Sequence, residues 1–148
     1  MTASNRNRSK FQRAVPKEYI NPPSLFPSQE HGFSQVVAAS GRRTLYLSGQ
    51  TAWNAQRRLV GGTDLAAQAR QAFRNVRIAV EAGGGRLEDV VSLRIYVVDY
   101  GPAKAEAVGT ALRECFRGGA MPATTWVGVV SLAEPGFLIE VEATAVID

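Results

Sequence analysis

The chain has 148 residues, a length that suits one domain around a single core. With 45% hydrophobic and 20% charged residues it has an ordinary globular composition, and no apolar run approaches the roughly 20 residues that span a membrane. The net charge of +4 is unevenly placed: Arg6, Arg8, Lys10, Arg13 and Lys17 lie in the first 17 residues, which hold no acid, whereas the remaining 12 basic and 13 acidic residues leave the rest at −1. That near-neutral remainder argues against nucleic acid as the partner, because gripping phosphates takes positive charge.

Residues 1–17 read as a flexible basic tail with too few apolar groups to offset the entropy of ordering, and 18–148 as one folded domain. Asn21-Pro22-Pro23 and Pro27 mark an extended lead-in. Gln35-Val36-Val37-Ala38-Ala39 and Thr44-Leu45-Tyr46-Leu47-Ser48-Gly49-Gln50 predict two short strands, joined as a hairpin through Ser40-Gly41-Arg42-Arg43. After Gly61-Gly62, Thr63 is the expected N-cap of a helix, with Asp64 at the positive end of its dipole. Leu65, Ala69, Ala72, Phe73, Val76 and Val80 recur at helical spacing, and Gly83-Gly84-Gly85 stops the helix.

Residues 90–98, rich in β-branched side chains, predict a strand, and Pro102 opens a second helix that reaches about Phe116. Cys115 lies near Leu112 and Phe116 on that helix and reads as a buried, inert thiol; as the single cysteine it excludes an intrachain disulfide. With His31 the single histidine, no zinc site of the usual ligands is expected, and no cofactor. Two strands, 123–129 and 138–146, close the chain around a turn at Pro135-Gly136. The N-terminus lacks the layout of a secretory signal, so a cytoplasmic location is expected.

The order β-β-α-β-α-β-β predicts an α+β, two-layer sandwich with two helices on one face of a mainly antiparallel sheet. Along the last strand Glu140 and Glu142 fall on one face, and Ile139, Val141, Ala143 and Ala145 on the other. The acidic face is either solvated or the lining of a polar cavity. With Tyr46, Arg94 and Tyr96 beside them, these acids make the uncovered face too aromatic to be wholly wet, which points to a second subunit over it.

Four stretches carry a resemblance in their order and spacing: Leu47-Ser48-Gly49-Gln50; Gln68-Ala69-Arg70-Gln71 with Asn75-Val76; Pro122-Ala123-Thr124; and Ile139-Glu140-Val141-Glu142-Ala143. Together they resemble the Rid superfamily, the YjgF-type reactive-intermediate deaminases, from about Phe33 to Ile147. The resemblance implies a chorismate-mutase-like homotrimer with its sheets inward and small-molecule clefts between subunits. In the deaminating members an arginine after Pro-Ala clamps the carboxylate of a 2-imino or enamino acid, a task for which the planar guanidinium is suited. A glutamate matching Glu140 orients water for attack on the C=N carbon.

Here the arginine position is Thr124, which is short and neutral. Phe33 stands where the family has a tyrosine, Gly109 where it has an asparagine, and Trp126 where it has a cysteine. The resemblance thus implies Glu140 and Thr124 as catalytic positions, with Phe33, Gly49, Gln50, Gly109, Thr125 and Trp126 lining the cleft. Four departures in one cleft argue for a different substrate. Arg94, on a neighbouring strand, either supplies a cation instead or is a surface arginine. Glu140 also reads as a solvated strand residue, Thr124 and Thr125 as ordinary β-formers, Gly49 as a close-packing glycine, and Trp126 as a core or subunit-contact aromatic.

Three functions follow. The first is an enzyme of the superfamily acting on a small reactive intermediate. The second is a non-catalytic trimeric ligand-binding or regulatory protein. The third and weakest is an RNA-directed protein, since some relatives carry endoribonuclease or translation-inhibitor labels.

Overall fold

The computed structural model describes residues 15–148. In chain order it contains β1 (Lys17–Ile20), β2 (Val36–Ala39), β3 (Arg43–Gln50), α1 (Leu65–Ala82), β4 (Val90–Val98), α2 (Pro102–Cys115), β5 (Ala123–Val129) and β6 (Ile139–Ile147). Strands β3, β6, β4 and β5 form one four-stranded sheet in that spatial order. The β3–β6 and β6–β4 pairs are antiparallel and β4–β5 is parallel. The parallel pair needs a crossover, and α2 supplies it. This is the α+β sandwich expected, with α1 and α2 over one face of a mainly antiparallel sheet.

The expected hairpin does not form. Strand β2 pairs with β1 in a separate two-stranded ribbon, while β3 pairs with β6. Gly41 lies between the ribbon and the main sheet, where a Cβ would come 2.6 Å from the Ile147 carbonyl oxygen. The chain therefore presses backbone to backbone against the end of β6 at the point where a hairpin would have turned back. Strand β1, unforeseen from the sequence, begins at the last residue of the basic run. Its first residue, Lys17, leaves the expected tail: its ammonium reaches Asp89 Oδ1 at 3.1 Å and the Glu88 carbonyl, with only 10% of the side chain exposed. Val15 is buried too. The rest of the expected tail, residues 1–14, lies outside the described residues.

The core lies between the helices and the sheet. Phe73, Val76 and Val80 of α1 and Val108 and Leu112 of α2 meet Leu93, Ile95, Val97, Ile139 and Val141. Burying side chains of this size contributes about 1.5–3 kcal/mol each. The N-cap of α1 is Asp64 rather than Thr63, its carboxylate accepting from the Ala66 and Ala67 amides at 2.9 and 3.3 Å. Cys115 is half-buried; burial pushes its thiol up, and the neighbouring Arg77 guanidinium opposes that shift.

One polar residue sits inside the apolar stripe of α1. Gln68 is fully buried, and its amide joins two loops. It donates to the Gly62 and Gly136 carbonyls at 2.6 and 2.8 Å and accepts from the Leu138 amide at 3.0 Å. Asn75, two turns along, donates to the Thr51 and Trp53 carbonyls at 2.9 and 2.7 Å. Replacing Gln68 with Leu would remove three hydrogen bonds to the loop backbone, at roughly 1–3 kcal/mol for each group left dry. Gln68→Leu is expected to destabilise the fold by about 3 kcal/mol or more, read as a lower midpoint in urea denaturation. A midpoint within error of wild type would show that water replaces the amide.

Candidate functional site

Sheet register sorts the expected site residues into two groups. Cα partners in adjacent strands put their side chains on the same face. Trp126 is level with Ile95 and Val141, and Thr124 with Leu93 and Ala143, so both belong to the helix-covered face. Glu140 is level with Tyr96, and Arg94 with both Glu142 and Thr125, so these occupy the open face. Glu140 and Thr124 therefore point away from each other in a single copy of the chain.

The first group lines a cavity of about 550 Å³ between the edge of β5, helix α2 and the segment before β2. Phe33, Gly109, Thr124 and Trp126 all line it. Ser34 fixes Phe33 there: it is buried, its hydroxyl donates to the Met121 carbonyl at 2.7 Å, and it bridges to Ala123. The Thr124 hydroxyl donates to the Pro122 carbonyl at 3.1 Å, which leaves an uncharged floor. Tyr100 packs edge-on against Trp126 with ring centroids 6.0 Å apart, and Phe26 against Phe33 at 5.8 Å. The walls are thus aromatic.

Phe26, Tyr100 and Arg113 also line this cleft, and none of the four family-like motifs contains them. Arg113 is the cation of the cavity. The signal for it was its position four residues after Gly109 on α2, which places both on one helix face.

The second group surrounds Glu140. Between Leu47 and Gln50 the β3–β6 register shifts by one residue, a β-bulge that turns the backbone of Gly49 toward Glu140. A Cβ at position 49 would lie 2.6 Å from Cδ and 2.7 Å from Cγ of Glu140. Only glycine lets the Glu140 side chain lie against the strand in this way. Gln50 follows and donates to the Ser48 carbonyl at 3.0 Å. Arg94 is committed elsewhere, pairing with Glu142 at 3.2 Å. Glu140, half-buried, forms no ion pair and no carboxylate hydrogen bond among the described residues.

Among the described residues, no cluster of three or more His, Cys, Asp or Glu side chains could hold a metal ion. No helix among them is long and apolar enough to cross a membrane.

Comparison with known proteins agrees with this architecture. Residues 25–147 match the family model described as Endoribonuclease L-PSP. A Dermatophagoides farinae protein named 2-iminobutanoate/2-iminopropanoate deaminase is 32% identical over 133 residues, covering 90% of this chain and 98% of the relative. The Yersinia pestis Rid-family protein YyfB, whose function is unknown, superposes with a TM-score of 0.85 at 41% identity, covering 88% of this chain and 98% of its own. The YjgF gene product of E. coli gives a TM-score of 0.63 at 30% identity, with 77% of this chain and 87% of that one covered. The chain belongs to the Rid superfamily, the YjgF and L-PSP family of proteins.

Proposed function

We propose that this protein is a reactive-intermediate deaminase whose sites are completed between neighbouring copies of a cytoplasmic homotrimer. The observation that carries the reading is the division of the site: one face of the sheet offers an unpaired glutamate, the other an aromatic cleft, and neither is a complete site. A neighbouring copy that lays its open face beside the β5 edge would join Glu140 of one protomer to the cleft of the next. Tyr46, 84% exposed in a single copy, is the kind of large apolar group such an interface covers. The name of the Dermatophagoides farinae relative supports the reaction class.

In this reading Glu140 accepts a hydrogen bond from a water molecule and aims it at the C=N carbon of a bound imine. The water oxygen bonds to that carbon as the C=N π bond opens and one water proton passes to nitrogen; the remaining hydroxyl proton then follows to nitrogen as the C–N bond breaks and the C=O bond forms. Ammonia leaves and a carbonyl compound remains. A carboxylate within hydrogen-bond reach of the water contributes about 10²–10⁴-fold in such a step. Gly49 acts through Glu140 as a positioning residue. Thr124 carries no charge for the substrate, so the compounds handled are expected to differ from the short 2-imino acids that an arginine would hold.

Four outcomes are expected. Light scattering should report about three times the 15.9 kDa chain mass, and a monomer at micromolar concentration would end the shared-site reading. Glu140→Gln should lower imine turnover by about 100-fold or more, and Gly49→Ala, which displaces the same carboxylate, should lower kcat more than it raises KM. Full activity in Glu140→Gln would remove Glu140 from the chemical step. Thr124→Arg should raise hydrolysis of 2-iminopropanoate by roughly tenfold or more, the weight of one charge-assisted contact; no gain would remove Thr124 as the determinant.

A further inference from the structure

We propose that Arg113 grips the carboxylate of the ligand in the aromatic cleft, and that this ligand carries an aromatic or similarly bulky apolar group. The inference rests on the cleft reading above and names its substrate class.

Arg113 stands on α2 directly over the cavity, with about half of its side chain exposed. Its guanidinium is held on one side only. Nη2 donates to Thr110 Oγ1 at 3.3 Å and lies 3.5 Å from Glu106 Oε1. Nη1 makes no hydrogen bond among the described residues. Glu106 is 81% exposed, so its pairing with Arg113 is worth little and competes weakly with a ligand.

Gly109 makes this arrangement feasible. A Cβ there would come 3.1 Å from Arg113 Nη1 and 3.8 Å from Trp126 Cη2. Nη1 and the Trp126 ring therefore flank one point beside bare helix backbone. A larger residue at 109 would press on the guanidinium and fill the same space. Thr124 removes charge from the strand, and Gly109 gives room to a charge on the helix. The cleft keeps a planar cation suited to a carboxylate, delivered from its other wall.

The rest of the cavity fixes the second half of the ligand. Phe33, Tyr100 and Trp126 present apolar surface around a volume far larger than a three- or four-carbon acid needs. A carboxylate on Nη1 leaves an attached ring or branched chain against these walls, where burial of aromatic surface contributes most. Glu30 lines the cavity as well, but it is exposed and makes no ion pair among the described residues.

The test is calorimetric titration of the full-length protein with phenylpyruvate, against phenylacetone as its carboxylate-free counterpart and phenethylamine as a cation. Wild type should bind the acid at least tenfold more tightly than the ketone. Arg113→Met should weaken the acid by about tenfold while leaving the ketone unchanged, and Arg113→Lys should fall between. Equal weakening of acid and ketone in Arg113→Met would reduce Arg113 to packing and overturn the assignment. Absence of wild-type binding to the acid, or no preference for it over the ketone, would overturn it too. Tighter binding of phenethylamine than of the acid would overturn it by assigning the cleft to cations through Glu30 and Glu106. Binding is read without turnover: an Arg113-dependent affinity that persists while Glu140→Gln keeps full activity supports this assignment and removes only the hydrolytic role of Glu140.

Discussion

The architecture depends on one buried amide. Gln68 lies in the stripe of α1 that otherwise holds only apolar residues, and its three hydrogen bonds span two loops distant in sequence. A buried polar group of this kind is costly unless every partner is present, which makes the geometry around it close to all-or-none. The Leu138 amide it holds lies two residues before Glu140. Asn75 on the same helix holds Thr51, the residue after Gln50, and Gln71 orients the Asn75 amide by donating to it at 2.9 Å. One helix thus sets the depth of both strands that present Glu140, Gly49 and Gln50, and it does so from the side of the sheet opposite to them. No buried side-chain nitrogen or oxygen among the described residues lacks a partner, so this coupling carries no compensating defect.

The alternation of a strand gives the sheet two chemically distinct faces. On β6 the residues 139, 141, 143, 145 and 147 are buried, and the residues between them are half-exposed acids and small side chains. On β5 the same alternation acts at an edge, where Thr124 and Trp126 turn toward α2 and Thr125 turns toward Arg94 and Glu142. Glu140 and the cleft lined by Thr124 and Trp126 are therefore on opposite faces within one copy. The separation follows from register, and a one-residue slip in either strand would reverse it while burying acids under the helices.

Much of this was legible in the sequence. The strand 90–98 has the predicted bounds, and five of the six apolar residues assigned to the α1 stripe are buried as expected, because periodicity reports which face a side chain takes. Periodicity does not report which strand lies alongside. The short polar turn at Ser40-Gly41-Arg42-Arg43 looks like a hairpin, yet β2 and β3 belong to different sheets, because the partner of β2 is an unforeseen four-residue strand and the partner of β3 comes from the far end of the chain. Arg94 was ambiguous for a related reason: its direction follows from the strand, but its pairing with Glu142 follows from register. The site motifs name residues of both groups, but nothing in them says that the groups lie on opposite faces. Arg113 shares a helix face with Gly109, but nothing in a helix sequence says that its outer charge overhangs a cavity closed by a distant loop.

A cleft can change its ligand by moving one charge rather than by losing it. The floor beneath Trp126 is neutral, with the Thr124 hydroxyl turned to a backbone carbonyl, so the walls decide what binds. A guanidinium reaching in from α2 is anchored at a different distance from the aromatic rings than one rising from β5 would be. It is also partly wet, so its selectivity comes from the fixed direction of its free Nη1 donors more than from strong Coulombic attraction, which water screens. Bulky aromatic walls compensate, because affinity that charge does not provide is provided by buried apolar surface. Such a site favours ligands that use both ends at once and discriminates against small acids that engage only the charge.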